Sequence, residues 1–313
     1  MIVRDRPSGL RLFLLLRGSI LQRIRWTLLF NTLLATGVTL AHGSLFTFKI
    51  TLTPIPFTLM GLPLAIFLGF RNTTAYDRYW EGRKLWGELV LRTRNLSRQC
   101  LSLIELDQPV DPLNRAGDVR VRMVHRAIAF VHALRLHLRA QSDDALLQRW
   151  LPAADWPRVA QSSQRPDAIM QGMGQDLALC LRERRIDPCL AAGIDATLSA
   201  MTASAVSCER IRNTPVPFSY TLLLHRTAYL YCFLLPFGLV DTTGFMTPFV
   251  VAIVAYTFFG LDALGDEIEE PFGLESNDLP LDTLCRGIEI NLREALGERD
   301  LPASLAPVDY LLT

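Results

Sequence analysis

Few residues of this sequence have the types and spacing that catalysis requires. The chain contains no G-x-S-x-G nucleophile motif, no phosphate-binding loop of the Walker type, no G-x-G-x-x-G and no H-E-x-x-H. His125 and His132 are seven residues apart and would share one helix face, but no cysteine or carboxylate accompanies them at metal-ligand spacing. We therefore interpret them as ordinary core or surface histidines and expect no enzyme, no cofactor and no metal site.

An acidic run is the densest group of charges. Asp266, Glu267, Glu269 and Glu270 follow a long apolar segment. Three interpretations are open: a solvated helix end, a vestibule that attracts cations, and a salt-bridge partner for another subunit.

An apolar stripe is the next candidate. Leu62, Ile66 and Phe70 are spaced i, i+4, i+8, so they line one face of a helix that Pro56 and Pro63 are able to bend. If several copies surrounded an axis, the stripe would form an apolar constriction, and such constrictions gate ions by dewetting. The alternative is ordinary packing against lipid or neighbouring helices.

Aromatic and basic residues follow this stripe at helical spacing. They recur every three or four residues beside the small Gly82 and Gly87, a composition typical of protein–protein contacts. The set is Tyr76, Trp80 (or Tyr79), Arg83 and Trp86. It predicts an inter-subunit helix, with a cation–π pair between Trp80 and Lys84.

The composition limits the class of protein. The 313 residues have a mean hydropathy of +0.23 and a net charge of +1, so no strong field favours nucleic acid as a partner. The six cysteines form no C-x-x-C pair, which indicates small core residues in a reducing compartment rather than disulfides or zinc ligands. They are Cys100, Cys180, Cys189, Cys208, Cys232 and Cys285.

Charge-free windows are the strongest signal in the sequence. Residues 26–48, 50–70 and 242–261 contain 23, 21 and 20 residues without Asp, Glu, Lys or Arg. Each window approaches the length that crosses a bilayer core, about 20 residues. A fourth run, 217–240, is interrupted by His225 and Arg226, and Arg226 is either functional or snorkels to the interface. Buried helices of a large soluble protein are the alternative to four membrane spans.

Arginines around these windows predict the topology. They precede the first and third spans and follow the second, whereas the two short connections between spans carry only Lys49. The positive-inside rule then places both termini and the long middle segment in the cytoplasm. The arginine-rich N-terminus lacks a small-residue cleavage site, so residues 8–24 are predicted to form an interfacial helix rather than a removable signal. The expected segments are 1–25 (interfacial helix), 26–70 (membrane hairpin), 71–213 (cytosolic helical domain), 214–262 (second hairpin) and 263–313 (cytosolic C-terminal segment).

The remaining sequence is helical in pattern. Apolar residues between 84 and 139 recur at steps of three and four, and no long segment alternates with period two. Proline-containing stretches at 106–118 and 151–167 and a break at Pro188 separate the predicted helices. The expected fold class is all-α.

Three blocks of residues resemble the bestrophin family in its bacterial branch. They are "IPFTLMGLPLAIFLGFRNTTAYDRYWEGRKLWGELV", "CERIRNTPVPFSYTLLLHRTAYLYCFLLPFGLV" and "DEIEEPFGLESNDLPLDTLCRGIEINL", and the likeness extends over residues 20–297. The resemblance implies a homopentameric, passive ion channel with four membrane helices per subunit, in the inner membrane of a bacterium. Its partners would be copies of itself, membrane lipid and the permeant ions.

The resemblance also implies roles for particular residues. The family's apolar neck maps onto Leu62, Ile66 and Phe70, and its second, cytosolic constriction maps near Cys189. Animal members conduct anions, chloride among them, whereas bacterial relatives have been argued to conduct monovalent cations. The acidic residues 262–270 would favour cations if they faced the axis. A non-conducting, membrane-anchored scaffold is the alternative function.

The segment after the last span departs from the animal pattern. Animal bestrophins bind calcium through an acidic cluster, whereas "EEPFGLESNDLPLD" retains only Glu275, Asn277, Asp278 and Asp282. Calcium takes six to eight oxygen ligands, so calcium gating of the animal type is not expected. The amphipathic stretch that follows is predicted to wrap around a neighbouring subunit through Leu281, Leu284, Cys285, Ile288 and Leu292.

Overall fold

The computed structural model describes residues 1–3, 18–41 and 53–313, together with the backbone of two short strands. The predicted interfacial helix at 8–24 lies largely outside these residues. Ser44–Leu45 (β1) and Phe48–Lys49 (β2) form a two-residue antiparallel ladder, and the rest of the regular structure is helical. The expectation of an all-α chain is therefore confirmed.

Ten α-helices follow one another along the described chain. They are α1 (Leu21–Leu40), α2 (Pro54–Leu103), α3 (Val119–Leu138), α4 (Asp144–Gln148), α5 (Trp156–Gln161), α6 (Arg165–Arg182), α7 (Pro188–Asn213), α8 (Phe218–Thr243), α9 (Thr247–Glu269) and α10 (Leu281–Ala295). A short 3₁₀ turn, Gly244–Met246, joins α8 to α9. The break at 106–118 is observed between α2 and α3, whereas the connection at 151–167 contains the short helix α5.

The chain forms two compact units. Unit 1 contains residues 1–3, 80–214 and 271–313, and unit 2 contains 4–79 and 215–270. The units divide at residues 79, 214 and 270, because Arg71 packs within unit 2 on the last two turns of α9 through Asp262 and Glu269. These are boundaries of packing, and the expected membrane and cytosolic segments stay a prediction.

Unit 2 is a bundle of α1, α8, α9 and the first half of α2. Its core is apolar and includes Leu68, Leu224, Cys232, Val251 and Phe259. Gly238 on α8 faces the Phe57 ring so closely that a Cβ there would lie 2.2 Å from the ring, so glycine is required where these helices meet.

Unit 1 is built around α3. This helix begins at an N-cap, Asp118, whose carboxylate accepts the backbone N–H of Arg120, and it packs against α6, α7 and α10. The two chain ends also lie in this unit: the N–H of Val3 donates to the carbonyl of Tyr310, and that of Leu312 donates to Met1.

The C-terminal helix α10 corrects one expectation. Leu281, Cys285, Ile288 and Leu292 are buried, and the Cys285 thiol lies 3.5 Å from the carbonyl of Val131 on α3. The apolar face of α10 therefore packs on α3 of the same chain rather than around a neighbour.

Among the residues that the structure describes, three helical segments are long and apolar enough to cross a membrane. They are Pro54–Leu103, Pro188–Asn213 and Phe218–Glu269, the last of which contains both α8 and α9. Only 28% of the most apolar window in Phe218–Glu269 is buried inside the chain. An apolar surface of this extent needs a non-aqueous medium or another subunit to cover it.

Candidate functional site

The predicted neck residues lie together on the first half of α2. Leu62, Ile66 and Phe70 are 67%, 47% and 61% exposed, respectively, so the described part of the chain leaves them largely uncovered. α2 continues without interruption through Pro63. The single helix therefore presents all three side chains on one free face, which we call the neck face.

The opposite face of α2 is the one that unit 2 buries. It consists of Phe57, Leu64, Leu68, Arg71 and Ala75. At about 100° per residue, the mean directions of this buried stripe and of the neck face differ by roughly 170°. The neck face therefore points directly away from the rest of the unit.

Arg71 ends the apolar half of α2 and is fully buried. Its guanidinium lies 2.9 Å from Asp262 Oδ1 and 3.6 Å from Glu269 Oε2, and it also pairs with Asp266. The second oxygen of Asp262 lies 2.7 Å from His225 Nδ1. Three carboxylates therefore converge on one buried guanidinium, as the cost of burying a charge requires.

This cluster changes the interpretation of the acidic run. Asp266 and Glu269 contact Arg71 within the chain, and Glu269 also accepts the backbone N–H of Val216. These carboxylates are therefore not a free ring of negative charge. The sequence contains one signal for this pair, because Arg71 and Asp262 each end a charge-free window at the same predicted membrane boundary.

Close backbone approach permits the cluster. A Cβ at Gly265 would lie 2.5 Å from the Asn72 amide oxygen, so only glycine fits there. The Asn72 amide donates to the carbonyl of Leu261 at 3.1 Å, and Arg78 Nε donates to that of Glu269 at 3.0 Å. These contacts hold α2 to the end of α9.

The predicted inter-subunit residues separate into two groups. Tyr76 and Trp80 are 56% and 47% exposed, and Arg83 is exposed. The predicted cation–π pair is confirmed, because Lys84 Nζ lies 5.9 Å from the centre of the Trp80 ring. Trp86 is 0% exposed and belongs to the core of unit 1. The candidate contact surface therefore contains three of the four side chains.

Five of the six cysteines are buried, as the sequence indicated, and the sixth, Cys189, is exposed. Cys100, Cys180, Cys208, Cys232 and Cys285 are buried, and burial raises the pKa of Cys208 and Cys285 to about 12. Cys189 is exposed in the first turn of α7, where its backbone N–H donates to the Asp187 carboxylate at 2.7 Å. Cys189 thus has the exposure that a constriction residue requires.

Two of the three histidines on α3, His125 and His132, lie in a polar network. His125 Nε2 is 3.2 Å from Glu298 Oε1, and His132 Nε2 is 3.6 Å from Glu289 Oε2. Burial, followed by the nearby Arg115 charge, lowers the pKa of His125 to about 4. In the part of the chain that the structure describes, no three His, Cys, Asp or Glu side chains converge on a metal position.

Two acidic side chains in the segment after α9 are already engaged within the chain. Asp282 accepts from Arg135 at 2.6 Å and from Arg139 at 2.7 Å, so both of its oxygens are already paired with cations. Asp278 Oδ2 accepts the backbone N–H of Glu275. This donor set does not supply the open carboxylates that calcium prefers.

Comparison with known proteins identifies the family. A sequence profile described as "Bacterial/Fungal Bestrophin protein" matches residues 1–294. The chain belongs to the bestrophin family.

Curated relatives of this bestrophin are named as channels. It is 44% identical to a voltage-dependent anion channel-forming protein of Mesorhizobium japonicum over 99% of this chain and 96% of the relative. It is 39% identical to the protein of the same description from Escherichia coli K12, over 98% of both chains. The family is one of ion channels, and no catalytic constellation was found in this sequence.

A solved structure supports the fold. The bacterial bestrophin homolog from Klebsiella pneumoniae is 36% identical and superposes with a TM-score of 0.81. The match covers 88% of this chain and 100% of that one. The bestrophin fold of this chain is thereby shown.

Proposed function

We propose that five copies of this chain surround a pore whose neck is formed by Leu62, Ile66 and Phe70, and that small monovalent ions cross it passively. The observation that carries the proposal is the neck face, an exposed apolar stripe opposite the buried stripe of α2. In a ring of subunits, each buried stripe would face its own bundle and each neck face would point toward the axis. Stacked apolar rings of this kind gate by dewetting.

The proposed topology has four spans, contributed by α1, the first half of α2, α8 and α9. Residues 71–213, 263–313 and both termini would lie in the cytoplasm of a bacterium, with the spans in its inner membrane. Two observations support this: arginines flank one side of the spans, and the chain ends pair with each other. We assign α7 outside the membrane because it packs with α6 and α3 in unit 1.

Ion selectivity has to arise outside the neck, because an apolar ring does not choose a sign of charge. Asp262, Asp266 and Glu269 contact Arg71 and His225, which offsets part of their negative charge and weakens the argument for cations. The names of the relatives point to anions. We therefore propose anions such as chloride as the preferred permeant ions.

Two further parts of the assembly are proposals. Cys189, exposed at the start of α7, would form the cytosolic constriction. Tyr76, Trp80 and Arg83 would contact the adjacent subunit, because aromatic and arginine side chains exposed on one helix are typical of such interfaces.

The decisive experiment is single-channel recording of the purified protein in planar bilayers. Leu62, Ile66 and Phe70 are changed together to Ala, which widens the neck and weakens dewetting. We expect a severalfold increase in current. The matched control truncates three exposed apolar side chains away from the neck face, Met60→Ala, Phe249→Ala and Ile253→Ala, and should conduct like the parent.

Each outcome bears on a separate part of the proposal. Absence of current from both the parent and the neck variant would support the non-conducting scaffold instead. The reversal potential under a potassium chloride gradient reports the sign of the permeant ion, and a potassium-selective value would contradict the anion proposal. The mass in detergent should be five times 35.2 kDa.

A further inference from the structure

Helices α1 and α8 run in the same direction and touch at two successive levels. The Tyr229 phenol lies against the Thr27 hydroxyl, and the Phe30 and Phe233 rings meet edge to face with centroids 5.6 Å apart. The later residue of α1 meets the later residue of α8. The two helices are therefore parallel, and one groove runs between them on the surface of unit 2.

Two arginines lie one heptad before the phenylalanine contact. Arg23 precedes Phe30 by seven residues, and Arg226 precedes Phe233 by seven. Seven residues are two turns, so each arginine shares the helix face of its phenylalanine and lies about 10 Å closer to the helix start. The groove between α1 and α8 therefore holds two guanidinium groups at the same level.

These two cations have no carboxylate partner in the described part of the chain. Both residues are exposed, and neither forms an ion pair with any residue among 18–41 and 53–313. The carboxylates at this level, Asp262 and Asp266, are held by His225 and Arg71. Two guanidinium groups beside one groove repel each other unless an anion lies between them.

The groove continues into an apolar surface. Arg226 follows His225, which pairs with Asp262 at the end of a charge-free window, so the two arginines mark the boundary of the proposed membrane span. From that boundary the surface of both helices is exposed and apolar. Its residues are Trp26, Leu29, Phe30 and Leu33 on α1 and Leu230 and Leu234 on α8.

We propose that this groove binds an anionic phospholipid of the cytoplasmic leaflet. Arg23 and Arg226 hold its phosphate, and its acyl chains lie along the apolar surface. An arginine fork matches phosphate geometry, and basic pockets between membrane helices on the cytoplasmic side favour acidic headgroups. The leaflet assignment rests on the topology proposed above, whereas the binding site rests on the register of α1 and α8.

Native mass spectrometry of the purified full-length protein tests this proposal. Phosphatidylglycerol and phosphatidylcholine are titrated in separate arms, and inorganic phosphate forms a third arm. The parent should bind phosphatidylglycerol more tightly than phosphatidylcholine, because the choline cation is repelled by the two arginines. Phosphate without acyl chains should bind far more weakly than the lipid.

Single variants identify the residues responsible. Arg23→Gln and Arg226→Gln should each weaken phosphatidylglycerol binding by about tenfold, as expected for loss of one charge-assisted contact. Arg226→Lys keeps the charge but not the fork and should give an intermediate affinity. The matched control is Arg98→Gln, which removes an exposed arginine of unit 1 that forms no ion pair with the described residues, and it should leave lipid binding unchanged.

Three results would overturn the proposal. The first is equal binding of both lipids by the parent, and the second is unchanged phosphatidylglycerol binding in the double variant Arg23→Gln, Arg226→Gln. The third is dissociation of the oligomer in Arg226→Gln with lipid binding intact, which would assign Arg226 to a carboxylate of a second copy. The readout needs no current, so lipid binding without conduction would contradict only the proposed channel function.

Discussion

The first half of α2 and helix α3 reverse the usual relation between charge and burial. Residues 54–70 of α2 contain no charged side chain, yet most of that surface is exposed. α3 contains four arginines and three histidines, yet it is buried on nearly every side. The charged helix is at the centre of its unit, and the uncharged helix is at the periphery of its own.

The partners of the two helices explain this difference. On α3, Arg120 pairs with Asp118 at 2.8 Å, Arg122 with Asp176 at 2.8 Å, and Arg126 with Asp155 and Asp176, so burial leaves these charges compensated. On α2, one narrow stripe is covered by α8 and α9. The hydropathy of a helix therefore indicates which surroundings it can tolerate. Whether the helix is buried depends on the ion-pair partners and packing surfaces that neighbouring helices provide.

The largest expected effect is on the charge pairs of α3. Asp176→Ala leaves Arg122 and Arg126 without their shared partner inside unit 1. Removing one member of a buried pair costs about 3–5 kcal/mol, which should appear as a large drop in the unfolding midpoint. The control is Asp144→Ala, whose pair with Arg165 is half-exposed and should change stability by less than about 1 kcal/mol. Equal effects would show that pairing does not explain the burial of α3.

The two faces of α2 give the next prediction. Leu68 is 0% exposed and Leu62 is 67% exposed. Leu68→Ala should destabilise the protein by about 2–5 kcal/mol, because it leaves a cavity in the core of unit 2. Leu62→Ala should leave thermal unfolding in detergent nearly unchanged and alter only conduction. If both variants unfold at the same lowered temperature, the neck face is packed in the assembled protein and cannot line an open pore.

The smallest expected effect concerns His125, which is held in its neutral form on α3. Burial lowers the pKa of His125 to about 4, whereas the unfolded residue titrates near pH 6.5. The folded state then binds fewer protons than the unfolded state between these values. The contribution of His125 to the free energy of unfolding is therefore fully present above about pH 6.5. It decreases as the pH falls toward 4, by an amount on the order of 2 kcal/mol.

The His125→Gln variant isolates this contribution. It removes the titrating group while keeping a side chain that donates to Glu298. Thermal unfolding measured between pH 7 and pH 4 should therefore depend less on pH in the variant than in the parent. An identical pH dependence would place the acid sensitivity elsewhere in the protein.

The helices themselves were predictable because their signals are local. The break at 106–118, the single helix through "LGFRNTTAYDRYW" and the i, i+4 spacing of Leu62 and Ile66 all depend on residues within a few turns. The Trp80–Lys84 contact was predicted for the same reason, since the two residues are one turn apart. The neck assignment itself came from the family resemblance and stays a prediction.

Local patterns gave wrong predictions where the sequence indicates an apolar or aromatic helix face but does not indicate which element covers it. Trp86 shares the spacing of Tyr76 and Trp80, and only the fold places it in the core of unit 1. The apolar face of α10 was correctly located on the sequence, but its partner, α3, lies about 150 residues earlier in the chain. Amphipathicity requires that a face be covered without specifying by what.

The sequence by itself determined the helical class, the charge-free windows and the spacing that puts Leu62, Ile66 and Phe70 on one helix face, because periodicity and charge are properties of neighbouring residues. Only the tertiary structure decided that Arg71 pairs with Asp262, Asp266 and Glu269, and that the covered stripe of α2 lies opposite the neck face. The physical reason is distance along the chain: Arg71 and Asp262 are separated by 191 residues, and an ion pair between them exists only once α2 and α9 have packed.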